Sequence, residues 1–495
     1  MKLHELIEGL NPNVISGDCD LDIRDIVYDS RKAGKNSLFV CIDGSVVDGH
    51  AFIPEAIENG AGALLVEKEV NVPPNITVIK VKDTRYGLAF VSDKIYDHPS
   101  RKLNLIGITG TKGKTTTTYM IKHILEDAGL KTGLIGTIQN MIGDEVLYAE
   151  RTTPESYDLQ ALFSEMCEKD VKSVVMEVSS QGLQLNRVSC SHFEIGVFTN
   201  LYKDHISPTE HKDMEEYLNA KIKLFKMCEK GLVNIDSPYA AKVLAEAECP
   251  IYTFGIENDC DIRAYDIIKH PHSVEFQVCS PWVNGHILVN IPGKFSVYNA
   301  LAAIGVCCLS GVSFDNIKNG LKSISVPGRA ETIHTGRNFT VIVDYAHTAD
   351  SLENILSTVK DFSKGRVVSI FGCGGNKDKG RRFGMGEVSG KIADFTVITS
   401  DNPRSEDPAA IINDIETGIK KTEGKYIKIV DRREAIRYAI ESAKPEDIIV
   451  IAGKGHETYQ IFKDKTIHFD DREVVREILS ETASEKSEEI VLQKE

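Results

Sequence analysis

The chain has 495 residues, 42% hydrophobic and 26% charged, which is long enough for several separately packed cores. Its 73 acidic residues outnumber 58 basic ones, a formal net charge of -15 that argues against a general nucleic-acid surface while allowing local cationic pockets for phosphates. No apolar run reaches the length of a membrane span, and the opening MKLHELIEGLNPN lacks the apolar core of a secretion signal, so a cytoplasmic chain is expected.

In chain order, residues 1–98 mix short strand-like runs, SLFVCI and GALLVE, with a helical pattern from Phe52 to Asn59. After Pro99 and Ser100 the pattern sharpens. LNLIGITG reads as a strand entering a tight turn, and helical spacing follows as far as Asp127. VKSVVMEVSS, EIGVFTNL and GLVNID are nearly continuous apolar strands, the composition of a largely parallel sheet covered by helices on both faces. A second boundary is expected at Pro327 and Gly328. Beyond it, NFTVIVDYAH, RVVSIFGCGG, DFTVITSDNPR and DIIVIAGKGHE each end an apolar strand in a polar motif, with helical patterns at Ser351–Lys360 and Arg432–Ser442 between them. Strand ends carrying polar loops predict an open, doubly wound α/β domain with ligands outside those ends. After Thr482 the composition turns charged and packing periodicity stops, so the tail is expected to fray.

The eleven cysteines show no repeating ligand spacing. Cys307 and Cys308 are expected buried and reduced, and Cys373, although in a glycine-rich loop, is expected to pack.

The strongest chemical signal is GITGTKGKTTT from Gly107. Gly110 and Gly113 let the backbone curl so that N–H groups at a helix start face a phosphate. Lys114 supplies a counter-charge and Thr115 a hydroxyl for a magnesium shell. The spacing departs from a strict phosphate-loop pattern, because Ile108 stands where the first glycine belongs. Glu177, closing the VVMEV strand, is a candidate oxygen ligand for the same ion. His205 in NLYKDHISPTEH reads equally well as a loop hydrogen-bonder. In EEYLNAKIKLF, Lys221 and Lys223 both fit a snorkelling lysine, and residue chemistry alone does not choose between them.

Taken together, DSR at Asp29, GTKGKTTT at Gly110, TTPES at Thr152, EVSSQGL at Glu177, DYAHTADSL at Asp344, GCGGNKDKGRR at Gly372, DNPR at Asp401 and GKGHE at Gly453 resemble the Mur ligase family over nearly the whole chain. The resemblance implies a three-domain α/β architecture: a UDP-precursor-binding domain over 1–98, a central P-loop ATPase-like domain over 99–327, a C-terminal Rossmann-like amino-acid-binding domain over 328–482, and a charged tail over 483–495. It implies ATP-dependent addition of meso-diaminopimelate to the D-glutamate γ-carboxylate of UDP-N-acetylmuramoyl-L-alanyl-D-glutamate through an acyl phosphate. ATP and two magnesium ions are the implied cofactors. A monomer is expected, with neither nucleic acid nor membrane insertion. An L-lysine-adding ligase on the same precursor is the near alternative, and a folylpolyglutamate-synthase-like ligase the remote one.

Carried onto this chain, the resemblance makes Gly110, Thr111, Lys112, Gly113, Lys114, Thr115 and Thr116 the phosphate loop, with Asn299, Arg329 and Asp344 as further nucleotide contacts. Lys114, Lys221, His205 and His347 become catalytic candidates. It assigns Thr115, Glu177, His205 and Lys221 to metal, and singles out Lys221 over Lys223 as the lysine that carries a carbamate. Ser30 is expected at the nucleotide end of the precursor, and Thr152, Thr153, Ser179 and Arg187 at its muramoyl-peptide portion. The amino acid is expected against Arg382, the DNPR residues Asp401, Asn402, Pro403 and Arg404, and Gly453 and Glu457 of GKGHE. Two positions depart from the family pattern: Ser296 replaces a common asparagine, and Gln181 the usual histidine after EVSS.

Overall fold

Apolar strands of alternating or continuous burial must be covered on both faces, and the computed structural model shows how this chain does so; it describes residues 1–44, 47–204, 206–207 and 210–492, with side chains as far as residue 482. Two compact units result. One comprises Met1–Arg263, Cys279–Val283 and Leu301–Ile317, the other Ala264–Val278, Asn284–Ala300 and Lys318–Glu495. The second unit thus begins ahead of residue 328, where the sequence pattern placed a boundary.

The first unit opens with a five-stranded sheet in the order Asn13–Ser16, Thr77–Lys80, Ala61–Val66, Ser37–Val40, Asp25–Val27, parallel except at its first pairing. The two-residue side-chain period divides its core. Leu38, Val40, Leu65 and Ile79 face Leu3, Leu6, Leu88 and Val91, while Phe39, Leu64, Val66 and Val78 face Ile53 and Ala56. Two tyrosine–aspartate hydrogen bonds run from this sheet to the helix Ser156–Glu168 in opposite directions: Tyr28 donates to Asp158, and Tyr157 donates to Asp25 at 2.6 Å.

The larger sheet of this unit runs parallel through Thr132–Ile135, Ser173–Glu177, Asn104–Thr109, Phe193–Phe198, Cys228–Asn234 and Ile251–Gly255. Asn104–Thr109 lies between the strands ending at Glu177 and Phe198, with Ile108 in register with Glu177 and Thr109 with Phe198. Chain order therefore reverses direction around this strand, which opens a crevice at its carboxyl end. The helix that follows spans Lys114–Asp127, as its spacing predicts.

The second unit contains a six-stranded sheet ordered Glu331–Ile333, Thr340–Asp344, Ile448–Ala452, Val367–Phe371, Phe395–Ile398, Tyr426–Lys428, again parallel after the first pair. Helices Ala349–Lys360, Gly380–Ile392 and Pro408–Ile419 bury Leu352, Leu356, Met385, Ile411 and Ile415 against Ile342, Phe371, Ile398 and Val450. On the opposite face Ile436, Ile440, Val475 and Ile478 cover Val341, Val343, Ile370, Val397, Ile449 and Ile451. The closing helix spans Asp471–Leu492, so regular backbone continues past Thr482 where fraying was expected.

The two faces are joined beneath the strand ends by a buried ion pair. Arg432 donates from Nε and Nη2 to Asp471, each at 2.8 Å, and also reaches the carbonyls of Ser400 and Ala452. Both side chains are fully buried. Such a pair contributes little net stability when intact, but leaving one partner behind is costly. Arg432→Ala should lose about 3–5 kcal/mol in urea unfolding, whereas replacing both residues with apolar side chains should lose much less.

Candidate active site

The phosphate loop begins where the central strand can turn only with glycine. Gly110 has φ 150°, and a Cβ there would fall 1.9 Å from Thr199 Oγ1. Thr199 and Asn200, just past the neighbouring strand, then fix the loop. Thr111 N donates to Asn200 O, Lys112 N to Asn200 Oδ1 at 2.9 Å, and Asn200 Nδ2 and Thr199 Oγ1 both donate to Lys112 O. Gly113, at φ 86°, starts the helix.

Two lysines converge on one carbonyl of this loop. Lys114 Nζ donates to Gly110 O at 2.9 Å and to Thr111 O at 3.2 Å, and Lys221 Nζ donates to Gly110 O at 2.9 Å. Lys221 is 1% exposed, over the Tyr217 ring, and Tyr217 in turn hydrogen-bonds Thr111 Oγ1. Lys223, by contrast, is exposed and only reaches Leu183 O at 3.5 Å. Burial, and after it the charge of Lys114, pushes the Lys221 pKa well below its ordinary 10.5, against the smaller pull of Asp204. Lys221 is therefore the lysine held toward the uncharged amine, the form that can react with carbon dioxide.

Across from the loop, Glu177 is 1% exposed at its strand end. Thr115 Oγ1 donates to Glu177 Oε1 at 2.9 Å, and Thr137 donates to the same carboxylate from its amide and its hydroxyl, each at 3.0 Å. The two oxygen donors expected around magnesium are thus adjacent although 62 residues apart. A hard-oxygen pair beside a lysine-lined phosphate loop fits a magnesium–nucleotide complex. Thr152 hydrogen-bonds Thr137, and Arg187 donates to Thr153 O and to Glu155. Some of the expected precursor contacts have internal partners. Thr153 Oγ1 donates to Glu177 O and accepts from Ser179 N, Ser179 Oγ caps the helix Ser180–Gln184, and Ser30 Oγ donates to Glu55 at 2.6 Å. His205 lies outside the described residues.

His211 was not anticipated. It is fully buried, accepts or donates at Ser180 Oγ at 2.8 Å and lies against Tyr217 with ring centroids 5.0 Å apart. Tyr217 was also missed, although its place four residues before Lys221 puts both on one helix face.

In the second unit the polar motifs gather at the strand ends. Asp344 accepts from Ala330 N and Ala346 N, and Gly453 N donates to Asp344 O. Asn402, 3% exposed, donates to Glu457 Oε2 at 2.8 Å and accepts from Ile461 N, while the fully buried Lys454 donates to Tyr459 O and to Glu457. Burial raises the Glu457 pKa, Lys454 counters it, and Asp401 adds to the rise. Arg404 takes a left-handed backbone, φ 53°, and its Nη1 donates to Gly375 O at 3.0 Å and, at 3.4 Å, to Asn402 O. Among the described residues no carboxylate pairs with it. Arg382 differs from expectation: it is 1% exposed, with Nη1 on Asp414 at 2.9 Å and Nη2 on Glu406 at 2.8 Å. Both ends of its fork are occupied, so it braces the loop after DNPR against a helix rather than presenting a free guanidinium.

Arg329 lies over the Tyr345 ring, which also contacts His347 and His456. Burial, with the charges of Arg329, Arg472 and Lys454, lowers the His456 pKa to about 3. Asn299 is buried, and Ser296 donates to Pro292 O instead of projecting as a ligand contact. Cys373 packs against Met385, and burial pushes its thiol up to about 12.

The Lys221 geometry has a consequence for stability. Below pH 10.5 the unfolded chain protonates this amine while burial opposes protonation in the fold, so stability falls as pH drops from 10.5 toward the lowered folded value. In carbon-dioxide-free buffer, Lys221→Met should therefore raise the thermal midpoint near neutral pH while reducing turnover by roughly 10²-fold or more. Lys223→Ala should change neither, as calorimetry and an ADP-release assay would show.

Comparison with known proteins identifies the family. Three family descriptions match in succession: the Mur ligase family catalytic domain over 22–102, the Mur ligase middle domain over 108–307, and the Mur ligase glutamate ligase domain over 328–455. The UDP-N-acetylmuramoyl-L-alanyl-D-glutamate--2,6-diaminopimelate ligase of Caldanaerobacter subterraneus subsp. tengcongensis is 48% identical over 483 residues, covering 97% of this chain and 100% of that protein. The protein of the same name from Clostridium perfringens is 47% identical over 487 residues, covering 97% and 99%. A solved structure of a ligase of that name superposes with a TM-score of 0.73 at 28% identity over 98% of this chain and 99% of its own. Mycobacterium tuberculosis folylpolyglutamate synthase shares the fold alone, at 18% identity and a TM-score of 0.62 over 75% of this chain and 91% of its own. With three successive family domains and relatives matched from end to end, the chain belongs to the Mur ligase family and has its three-domain architecture.

Proposed function

We propose that this chain joins meso-diaminopimelate to the D-glutamate γ-carboxylate of UDP-N-acetylmuramoyl-L-alanyl-D-glutamate at the expense of ATP. It is an ATP-dependent amide-bond ligase by family, and ATP with magnesium is the family's usual cofactor pair. The observation that carries the choice of amino acid is Arg404, a half-buried guanidinium with no carboxylate partner among the described residues, beside Asn402 and Glu457. Diaminopimelate differs from lysine by a distal carboxylate, and a guanidinium fork recognises that group in two parallel hydrogen bonds. Glu457 is the acceptor proposed for the distal ammonium, with Asp401, Pro403 and Gly453 shaping the loop. Arg382 acts in this reading by holding that loop.

When bound, ATP and magnesium supply the phosphoryl group and the charge that stabilises its transfer, giving an acyl phosphate that the incoming amine converts to amide with release of phosphate. The chain's own part is positional and electrostatic. Lys114 and the amides of Gly110–Thr116 would hold the phosphates; Thr115 and Glu177 would offer oxygens to a first ion. Lys221, held toward its neutral form, would bond through Nζ to the carbon of carbon dioxide and give up a proton, and the resulting carbamate would offer anionic oxygens to a second ion, with His205 as its proposed companion. Asn299, Arg329, Asp344 and His347 are the proposed nucleotide-side contacts of the second unit. Ser30, Thr152, Thr153, Ser179 and Arg187 are those for the precursor. The proposed domain limits are 1–98, 99–327 and 328–482, with a tail over 483–495. A cytoplasmic location agrees with eleven free cysteines and with substrates built on nucleotides. No helix of the described residues is long and apolar enough to cross a membrane.

Parallel kinetics with meso-diaminopimelate and L-lysine, products identified by mass, test this reading. Wild type should strongly prefer meso-diaminopimelate, and Arg404→Ala should cost about 2–5 kcal/mol of transition-state binding for that substrate while leaving the KM for ATP unchanged. A wild-type preference for L-lysine would overturn the assignment.

A further inference from the structure

Beside the proposed precursor contacts, two guanidiniums of the first unit, Arg85 and Arg187, face Glu155, and the charge of a third, Arg151, acts on Arg187. Arg85 belongs to the first turn of the helix Thr84–Ile95, in the segment that builds the five-stranded sheet, whereas Arg151 and Arg187 come from the larger sheet's connections. Glu155 is 7% exposed and accepts from Arg187 Nε at 2.8 Å. Its other oxygen lies 3.7 Å from Arg85 Nη1, outside hydrogen-bond reach. Arg85 Nη1 is buried and makes no hydrogen bond among the described residues, and Nη2 has only a long contact of 3.4 Å to Asp43 O. Arg151 pairs with the exposed Glu150 at 3.2 Å.

A buried guanidinium donor without a hydrogen-bond acceptor is expensive, and Glu155, shared by Arg85 and Arg187, leaves one positive charge over, since the exposed Glu150 is taken up by Arg151. Burial lowers the Arg187 pKa, Glu155 opposes the fall, and the charges of Arg151 and Arg85 add smaller contributions to it. The same Arg187 reaches Thr153 O, and Thr153 bonds the backbone of Glu177, so the cluster adjoins the carboxylate centre described above. Its directional donors suit a planar carboxylate or a phosphate.

We propose that Arg85, together with Arg187 and Arg151, binds an anionic oxygen group of the muramoyl-peptide precursor, so that the first sheet's segment grips the substrate here as well. This rests on the precursor assignment made above. Two anions of the precursor share the required chemistry: the α-carboxylate of D-glutamate, which is not activated, and the diphosphate of UDP.

Full-length wild type, Arg85→Ala and Arg85→Lys can be compared on the complete precursor, on its α-amide (D-isoglutamine in place of D-glutamate), and on the muramoyl dipeptide lacking UDP. Arg85→Ala should raise the KM for the complete precursor roughly 10- to 100-fold, with Arg85→Lys in between and the KM values for ATP and diaminopimelate unchanged. A merely structural arginine would instead lower the thermal midpoint and affect all three substrates. Disappearance of the penalty on the α-amide identifies the carboxylate as the bound group; disappearance on the UDP-free substrate identifies the diphosphate. An unchanged precursor KM in both variants, or a penalty of equal size on all three precursors, overturns the proposal. Failure of wild type to ligate any of them overturns the precursor assignment instead.

Discussion

Much of the chemistry of the first unit depends on a single backbone oxygen. Gly110 O accepts from both Lys114 and Lys221, and Lys221 has no exposure through which to share a second full charge with water. Two ammonium ions on one carbonyl in a dry site repel, so the buried amine gives up its proton more readily. The fold around it keeps this arrangement fixed: Thr199 fills the space a Cβ at Gly110 would need, Asn200 fastens the loop, and Tyr217 links Lys221 to Thr111. The order of strands matters for the same reason. Only because Asn104–Thr109 lies between the strands ending in Glu177 and Phe198 do Glu177, Thr199 and the loop meet.

The second unit uses a different constraint. Its polar loops leave strand ends that Arg432 ties together from below, through Asp471 and the carbonyls of Ser400 and Ala452. On that base Asn402, Lys454 and Glu457 form a buried polar network, and Arg404 is turned into a left-handed conformation unusual for an arginine. Arg382 shows the complementary case, an arginine in a ligand motif whose two carboxylate partners make it part of the support.

The elements whose causes are local were legible in the sequence. The helix Lys114–Asp127, the strand leading into Gly110, and the strands ending at Asp344, Phe371, Ile398 and Ala452 all follow from apolar periods and glycine turns. Cys373 was legible as a packing residue for the same reason. What was not legible depends on contacts between distant positions. Residue chemistry alone left Lys221 and Lys223 level and only the family resemblance chose Lys221, because the physical difference between them lies at Gly110, 111 residues away; the double service of Thr153 likewise needs Glu177 and Ser179. His211 and Tyr217 carried no motif, and Ser30 gave no sign that Glu55 would accept its hydroxyl. The pairing of Arg382 with Asp414 crosses 32 residues of loop and helix that no spacing rule connects.

If burial and Lys114 keep Lys221 uncharged, this amine should take up carbon dioxide at neutral pH while the exposed lysines do not. Carbon NMR of the full-length protein equilibrated with 13C-bicarbonate tests that most directly. The account predicts one slowly exchanging carbamate resonance that disappears in Lys221→Met and persists in Lys223→Ala. A wild-type spectrum without a carbamate signal, or one whose signal survives loss of Lys221, would contradict it.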